Sequence, residues 1–360
     1  MIVRNTLDGF TRRVFIAIAA VVATLLGLTL VYFTFDIILL VFAAALLAIF
    51  LRGLAELLRP YIQINERWLV LIVLVLLIGI LAGAITFLAP SVSEQVRVLR
   101  DQLPQSAART ADYISEYSWG AALIGHLPNT EQLLAQLDAS TVLTRVGGYF
   151  SSTVGVVGQL LLMLLLGIYF AMEPRFYVEG FTSLFPIDKR KRTGEVLGAV
   201  YETLRWWLIG KAASMIFIGL LTWIGLSIIG VPLALTLGIL AGLFSFIPNF
   251  GPILSAIPAL LLAFIDSPIS ALYVLGLYIG IQVIESNIVT PLIDRETVEL
   301  PPALTIAFQL GLGAIIGGLG LVLATPLLAA VVVLVKMVYI EDVLGDESPL
   351  PAEENQGGDG

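Results

Sequence analysis

Long apolar runs, separated by short polar connections, dominate the pattern of hydrophobic and polar positions along this chain. The first run covers residues 14–33 and follows Arg4, Arg12 and Arg13. As a helix it would measure about 30 Å, which spans the hydrocarbon core of a bilayer. A signal peptide would have a shorter apolar core and a small-residue cleavage site. We therefore expect a retained first transmembrane helix.

Further runs also have the length and apolar content of membrane helices. They predict helix 2 at 37–51, helix 3 at 68–89 (ended by Pro90), helix 4 at 153–172, helix 5 at 206–229 and another helix at 269–289. Two other apolar stretches, 231–265 and 301–339, are longer than one crossing requires. The pattern predicts an all-α polytopic membrane protein with about eight membrane segments.

A polar region at 91–152 separates helix 3 from helix 4. Apolar residues recur in it at helical spacing, as Val96, Leu99 and Leu103 do. This pattern fits amphipathic helices that lie on the membrane or on one another, and it also fits a solvated helical loop without a ligand.

The chain then divides into helices 1–3 at 1–90, this region at 91–152, helix 4 at 153–172, a connection at 173–205, a repeat-containing core at 206–340 and an acidic, disordered tail at 341–360.

The placement of lysine and arginine predicts which helix ends face the cytoplasm. Basic residues cluster before helix 1, between helices 2 and 3, and between helices 4 and 5, where Lys-Arg-Lys-Arg stands at 189–192. The three clusters fall on one side if helices 1 to 5 alternate, and basic loops favour the cytoplasmic side. We expect both termini to be cytoplasmic and the 91–152 region to be extracytoplasmic.

Composition supports the membrane assignment and removes several classes of function. Hydrophobic residues make up 58% of the chain and charged residues 13%, against roughly half and a quarter in soluble domains. There is no cysteine, and His126 is the single histidine, which argues against disulfides, thiolate chemistry and histidine-rich metal sites. Nucleotide-binding and esterase motifs and a basic stripe for nucleic acid are also missing. We expect a non-enzyme without a cofactor, a metal or a nucleic-acid partner.

The two long apolar stretches resemble each other. Val-Pro-Leu-Ala-Leu-Thr at 231–236 recurs as Leu-Pro-Pro-Ala-Leu-Thr at 300–305, and in the same register Gly251 matches Gly320. Weak internal symmetry is common in secondary transporters, so this match predicts a structural repeat.

Each long stretch is also interrupted near its middle. Pro-Asn-Phe-Gly-Pro at 248–252 breaks the first stretch, and Gly-Gly-Leu-Gly at 317–320 breaks the second. Proline removes a helical donor, and glycine lowers helix propensity. Unwound backbone in a membrane is tolerated where it is buried in protein or lines a wet cavity, so we expect both breaks near a permeation pathway. Each stretch is either a kinked span or a re-entrant hairpin, and hairpins would form inverted repeats.

The strongest candidate for chemistry is Glu285, in the last predicted helix before Pro291. An ionisable group inside a membrane helix is costly and is by default a functional hypothesis. Gln282 and Ser286 lie on its helical face, so this carboxylate could bind a cation or exchange a proton. Alternatively, Glu285 is held by an arginine or reaches the interface. Lys211, at the start of helix 5, is either its partner or a snorkelling anchor.

Polar groups at the breaks extend this candidate site. Asn249 and Pro252 flank free carbonyls in the first break, and Thr325 follows the second break. Discontinuous helices coordinate ions and solutes through such groups. Both breaks could instead be packing kinks, and Gln309 could join helices rather than form a site.

Three segments resemble the autoinducer-2 exporter (AI-2E, or PerM-like permease) family of membrane transporters. They are Phe-Ile-Pro-Asn-Phe-Gly-Pro-Ile-Leu-Ser-Ala-Ile-Pro-Ala at 246–259, Gln-Val-Ile-Glu-Ser-Asn-Ile-Val-Thr-Pro at 282–291 and Gly-Gly-Leu-Gly-Leu-Val-Leu-Ala-Thr-Pro-Leu at 317–327. The resemblance implies a multi-pass transporter of a prokaryotic plasma membrane. The site positions it implies are Glu285, Asn287, Pro291, Asn249, Gly251 and Pro252.

Three functions remain open at this point. The first is a permease that exports a small polar solute or signal molecule, coupled to an ion gradient. The second is an antiporter that exchanges sodium or another monovalent cation for protons. The third is a membrane scaffold without transport. The lipid bilayer surrounds the chain in each case, and assembly with copies of itself stays open.

Overall fold

The computed structural model describes residues 35, 37–62, 64–115, 153–289, 291 and 300–346, which form helices and short connections. In chain order the helices are α1 Ile37–Leu58, α2 Glu66–Ser115, α3 Thr153–Met172, α4 Pro174–Ser183, α5 Arg190–Ile229, α6 Ala234–Phe244, α7 Phe250–Asp266, α8 Pro268–Ile284, α9 Pro302–Ile316 and α10 Gly318–Leu334. Two of them continue as π-helical turns, α8 at Glu285–Val289 and α10 at Val335–Glu341.

Among the described residues, 5 helices are long and apolar enough to cross a membrane. They are α1, the first part of α2, α5, α8 with its π-helical turn, and α10 with its π-helical turn. The count reaches 6 if α3 and α4, which meet at a bend of 89°, form one broken span. These helices confirm the predicted all-α polytopic membrane class.

Helix boundaries differ from the predicted ones where polar sequence adjoins an apolar run. The prediction for helix 4 is confirmed by α3. The predicted end of helix 3 at Pro90 is wrong, because α2 continues through this proline to Ser115. Pro90 removes only the hydrogen bond to the Thr86 carbonyl, so one backbone bond is lost and the helix continues.

Helix 5 is also longer than predicted, because α5 begins at Arg190 and includes a polar extension before the apolar part. The predicted helix 1 at 14–33 and residues 116–152 of the polar region lie outside the described residues. The division of the chain into six segments stays a prediction.

Polar ends of α1, α3, α5 and α10 meet at one end of the bundle. Arg205 Nε of α5 lies 3.0 Å from a carboxylate oxygen of Glu56, and Arg52 donates to the Ala171 carbonyl at 3.0 Å. Arg192 lies 2.6 Å from Glu341, which follows α10. We call this the basic end. It brings together two of the three basic clusters from which the cytoplasmic side was predicted.

The second long stretch folds back on itself. A straight helix would separate Gln309 from Thr325 by about 24 Å, yet Gln309 Nε2 donates to Thr325 Oγ1 at 3.2 Å. The chain turns at Gly317, whose φ of 75° favours glycine. We call α9 and α10 the second hairpin.

The first long stretch folds back in the same way. Leu237 of α6 and Leu262 of α7 belong to one core cluster together with Leu226 of α5. Both α6 and α7 are shorter than a membrane span. We call α6 and α7 the first hairpin. Both long stretches therefore fold back as hairpins rather than run on as kinked helices, and re-entry on one side of the membrane stays a prediction.

Matching glycines in the two hairpins support the repeat. A Cβ added to Gly251 would lie 2.0 Å from the Phe244 carbonyl oxygen, and one added to Gly320 would lie 2.2 Å from the Leu312 carbonyl oxygen. In each hairpin the second arm therefore passes its own first arm too closely for any side chain.

Glycines also allow α5 and α6 to approach backbone to backbone. A Cβ at Gly242 would lie 2.6 Å from the Met215 carbonyl oxygen, and one at Gly238 would lie 2.7 Å from the Gly219 carbonyl oxygen. Small residues four apart are the usual means of close helix packing in membranes. This contact fixes the first hairpin against α5.

Candidate functional site

Glu285 is buried between α5 and α8, where polar side chains surround its carboxylate. Its Oε1 lies 3.6 Å from Lys211 Nζ and accepts a hydrogen bond from Ser214 Oγ at 3.1 Å. Gln282 Nε2 donates to its Oε2 at 3.3 Å. The side chains of Glu285 and Lys211 are 11% and 13% exposed, so both charged groups are largely buried within the protein. A buried carboxylate needs such partners, since an unpaired charge there would be very costly.

This cluster forms part of the wall of a cavity of about 340 Å³. The cavity lies where α5, α8 and both hairpins meet. Its lining consists of Trp207, Lys211, Ser214, Ser245, Pro248, Asn249, Pro252, Gln282, Glu285, Ser286, Leu300, Pro302, Thr305 and Thr325. We call it the first cavity.

The turn of the first hairpin supplies one wall of the first cavity. Asn249 has a φ of 67°, so the helix is interrupted there. In a continuous helix the Pro248 carbonyl would accept from residue 252, but Pro252 has no N–H to give. The carbonyl instead accepts from Phe250 N at 2.8 Å and from Gln309 Nε2 at 3.2 Å.

Gln309 therefore joins the two hairpins directly behind this wall. The residue is fully buried, and its amide nitrogen reaches both Pro248 of the first hairpin and Thr325 of the second. Because Thr325 Oγ1 accepts from Gln309, its own proton remains available to another acceptor.

The structure brings six of the predicted site residues together. Glu285, Gln282, Ser286, Asn249, Pro252 and Thr325 all line the first cavity. Gly251 is buried behind the wall, where it allows the tight turn. Asn287 and Pro291 are exposed and outside the lining; Asn287 donates to the Val283 carbonyl of its own helix.

Several lining residues were not predicted. Ser214, Ser245 and Thr305 carry hydroxyl groups that single polar positions in apolar helices do not distinguish from packing residues. The pairing of Lys211 with Glu285 was one of two open interpretations, and the structure has the pair. The second break at 317–320 does not line the cavity, whereas Thr325, further along α10, does.

The cavity can bind by hydrogen bonds and by charge. It presents hydroxyl, amide and carbonyl groups and one ion pair, but the described ranges contain no group of three or more His, Cys, Asp or Glu side chains placed to hold a metal ion. Two folded-back hairpins around a polar cavity, within a bundle of membrane-length helices, define a multi-pass membrane transporter.

Comparison with known sequences identifies the particular family. The family described as AI-2E family transporter matches residues 18–340, so the chain belongs to it. YueF of Bacillus subtilis (strain 168) is 26% identical over 290 residues, covering 76% of this chain and 78% of YueF. The AI-2 transport protein TqsA of Escherichia coli (strain K12) is 24% identical over 314 residues, covering 85% of this chain and 89% of TqsA. MT0215 of Mycobacterium tuberculosis (strain CDC 1551 / Oshkosh) is 28% identical, covering 91% and 89%.

Proposed function

We propose that this AI-2E family transporter moves a small polar solute through the first cavity, with an ion gradient driving its export. The observation that carries the proposal is the buried Lys211–Glu285 pair in the wall of a polar cavity between two hairpins. The cavity is a binding site rather than a catalytic one, and we expect no cofactor there.

The lining favours a solute rich in hydrogen-bonding groups and without a strong net charge. Ser245, Thr305 and Thr325 offer hydroxyl groups, and Asn249 offers an amide. The charges of Lys211 and Glu285 cancel each other, so the described lining carries no net charge to select an ion as the solute. AI-2, which the name of TqsA gives as that protein's cargo, is the first solute to test.

Glu285 is the group through which an ion could drive transport. A proton or a small cation on its carboxylate would weaken the pairing with Lys211, and α5 and α8 would lose a contact that holds them together. An ion that alters this contact thereby biases the two helices between arrangements, which is the requirement for coupling.

The basic end provides the proposed orientation. Lysine and arginine favour the cytoplasmic side, so the basic end and both termini are assigned to the cytoplasm of a prokaryote. The first cavity is close to that end, because Trp207 in its lining follows Arg205 by two positions. A solute that enters the first cavity there would move outward, which is the direction of export.

Flux measurements in proteoliposomes test the role of Glu285. Glu285→Gln should reduce AI-2 efflux roughly tenfold and remove its dependence on a pH or sodium gradient, because the neutral amide no longer responds to either ion. Glu202→Gln is the matched control, since Glu202 on α5 is 54% exposed and pairs only with Arg205 among the described ion pairs. Efflux by Glu285→Gln at the parent rate with unchanged gradient dependence would refute the proposal.

Exchange of a monovalent cation for protons is a second candidate function. It is favoured by the hydroxyl and amide groups of Ser214, Gln282 and Ser286 beside the Glu285 carboxylate, because sodium and lithium prefer oxygen ligands. Proton movement on addition of sodium or lithium, with no organic solute present, would favour exchange over solute export.

A protein that moves neither solute nor ions would instead be a scaffold.

A further inference from the structure

A second cavity of about 310 Å³ lies away from the basic end. It is lined by Val98, Gln102, Ile229, Gly230, Val231, Pro232, Leu262, Ala263, Ile265, Asp266 and Ser270. These residues belong to the extension of α2, the α5–α6 connection, the end of α7 and the start of α8. Ser270 Oγ donates to Asp266 Oδ2 at 2.9 Å, and Gln102 provides an amide. The second cavity therefore repeats the combination of carboxylate, hydroxyl and amide found around Glu285.

The two cavities share three helices. On α8, Ser270 lines the second cavity and Gln282 lines the first, and about 18 Å of helix separates them. On α7, Pro252 lines the first cavity and Ala263 the second, about 16 Å apart. Together with α5, these helices connect the two cavities over roughly half the thickness of a bilayer core.

The facing sides of α7 and α8 form a continuous seam between the cavities. Tyr278 OH donates to the Ser255 carbonyl at 3.1 Å at the side of the first cavity. Ala259 and Val274, both fully buried, pack in the same core cluster in the middle. The hydrogen bond from Ser270 to Asp266 lies at the other end, in the second cavity.

We propose that the second cavity is the opposite mouth of the solute pathway and a second binding site for the same hydrogen-bonding solute. The seam between α7 and α8 is the path, and the Tyr278–Ser255 hydrogen bond together with Ala259 and Val274 closes it. This inference rests on the proposed function of the first cavity. The polar groups of the second cavity favour a solute that donates hydrogen bonds, since Asp266 offers acceptor oxygens only.

Packing alone closes the middle of the seam. Ala259 and Val274 offer no polar side chain, and Tyr278 supplies the hydrogen bond that joins the two helices beside them. Opening the seam must therefore break this bond and the apolar contacts around it. Tyr278→Phe keeps the ring and removes the bond, so it should raise the open fraction roughly fivefold.

Thiol labelling tests the seam in this naturally cysteine-free chain. Ala259→Cys is the reporter, and a water-soluble, positively charged methanethiosulfonate is the probe. We expect slow labelling of this cysteine in the parent chain and roughly fivefold faster labelling when Tyr278→Phe is added. Tyr273→Phe on the same helix is the control, because Tyr273 is 62% exposed and lies outside the seam; it should leave the rate unchanged.

The second measurement asks from which side of the membrane each cavity can be labelled. Asn249→Cys in the first cavity and Ser270→Cys in the second should be labelled from opposite sides of the membrane, in intact and inverted vesicles. Equal labelling of Ala259→Cys with and without Tyr278→Phe, or labelling of both mouths from one side, would overturn the inference. Neither measurement uses AI-2 flux, so its failure is distinguishable from failure of the Glu285 experiment.

Discussion

At the scale of single residues, the site depends on partners from distant parts of the chain. Glu285 is accompanied by Gln282 on its own helix, but Lys211 and Ser214 come from α5. Gln309 likewise donates to the Pro248 carbonyl, which cannot accept a helical hydrogen bond from Pro252. Lys211 and Ser214 of α5 thus offset the buried charge of Glu285 on α8, and Gln309 of the second hairpin bonds a carbonyl of the first.

Gln309→Leu should destabilise the protein by about 1–2 kcal/mol, because Pro248 and Thr325 lose a buried donor. Gln95→Leu is the matched control: both residues are buried and each has one amide atom without a partner within the described structure, but in Gln95 that atom is the donor Nε2 and in Gln309 it is Oε1. Removing an unpaired donor should cost less. Thermal unfolding in detergent measures both variants. Equal melting temperatures would show that the hydrogen bonds of Gln309 contribute nothing to joining the hairpins.

The sequence identified Glu285, Gln282 and Ser286 because polar residues are rare in membrane helices and these lie on one helical face. Ser214 could not be identified in this way. A serine in an apolar helix is common, and its contact with Glu285 appears only when α5 and α8 are packed together. Asn287 and Pro291 stand in the same motif but outside the cavity, since neighbours in sequence point in different directions around a helix.

At the scale of helices, local sequence predicts where the apolar runs are broken but not how the chain continues. Proline and glycine interrupt residues 248–252 and 317–320 whether the result is a kink or a hairpin. Contacts between the two arms, such as that of Gln309 with Thr325, distinguish a hairpin from a kink. Pro90 shows the converse case, since a proline inside α2 does not end that helix.

Gly242→Ala should destabilise the packing of α5 against the first hairpin. The added Cβ would lie 2.6 Å from the Met215 carbonyl oxygen. Because this oxygen belongs to the backbone of α5, the clash can be relieved only by moving the helix. Gly280→Ala on α8 is the control, because nothing lies within 4 Å of its added Cβ. This variant should gain up to about 1 kcal/mol in helix propensity. A higher melting temperature for Gly242→Ala than for Gly280→Ala would contradict the close helix contact.

At the scale of the whole molecule, two polar cavities lie at the two ends of one set of helices, with apolar packing between them. The first cavity is near the basic end, and the second is near the base of the first hairpin. The proposed pathway is therefore closed in its middle by this packing. Charge placement in the sequence predicted which connections share an end, but the cavities depend on how the helices pack.

The proposed function requires solute to pass through the first cavity. Blocking that cavity tests it most directly: Asn249→Cys is reacted with a charged methanethiosulfonate, and AI-2 efflux from proteoliposomes is measured before and after. Ile253→Cys is the control, because Ile253 is 63% exposed and lies one turn further along α7, outside the lining. We predict that modification abolishes efflux through Asn249→Cys and leaves efflux through Ile253→Cys unchanged. Undiminished efflux from fully modified Asn249→Cys would contradict the account.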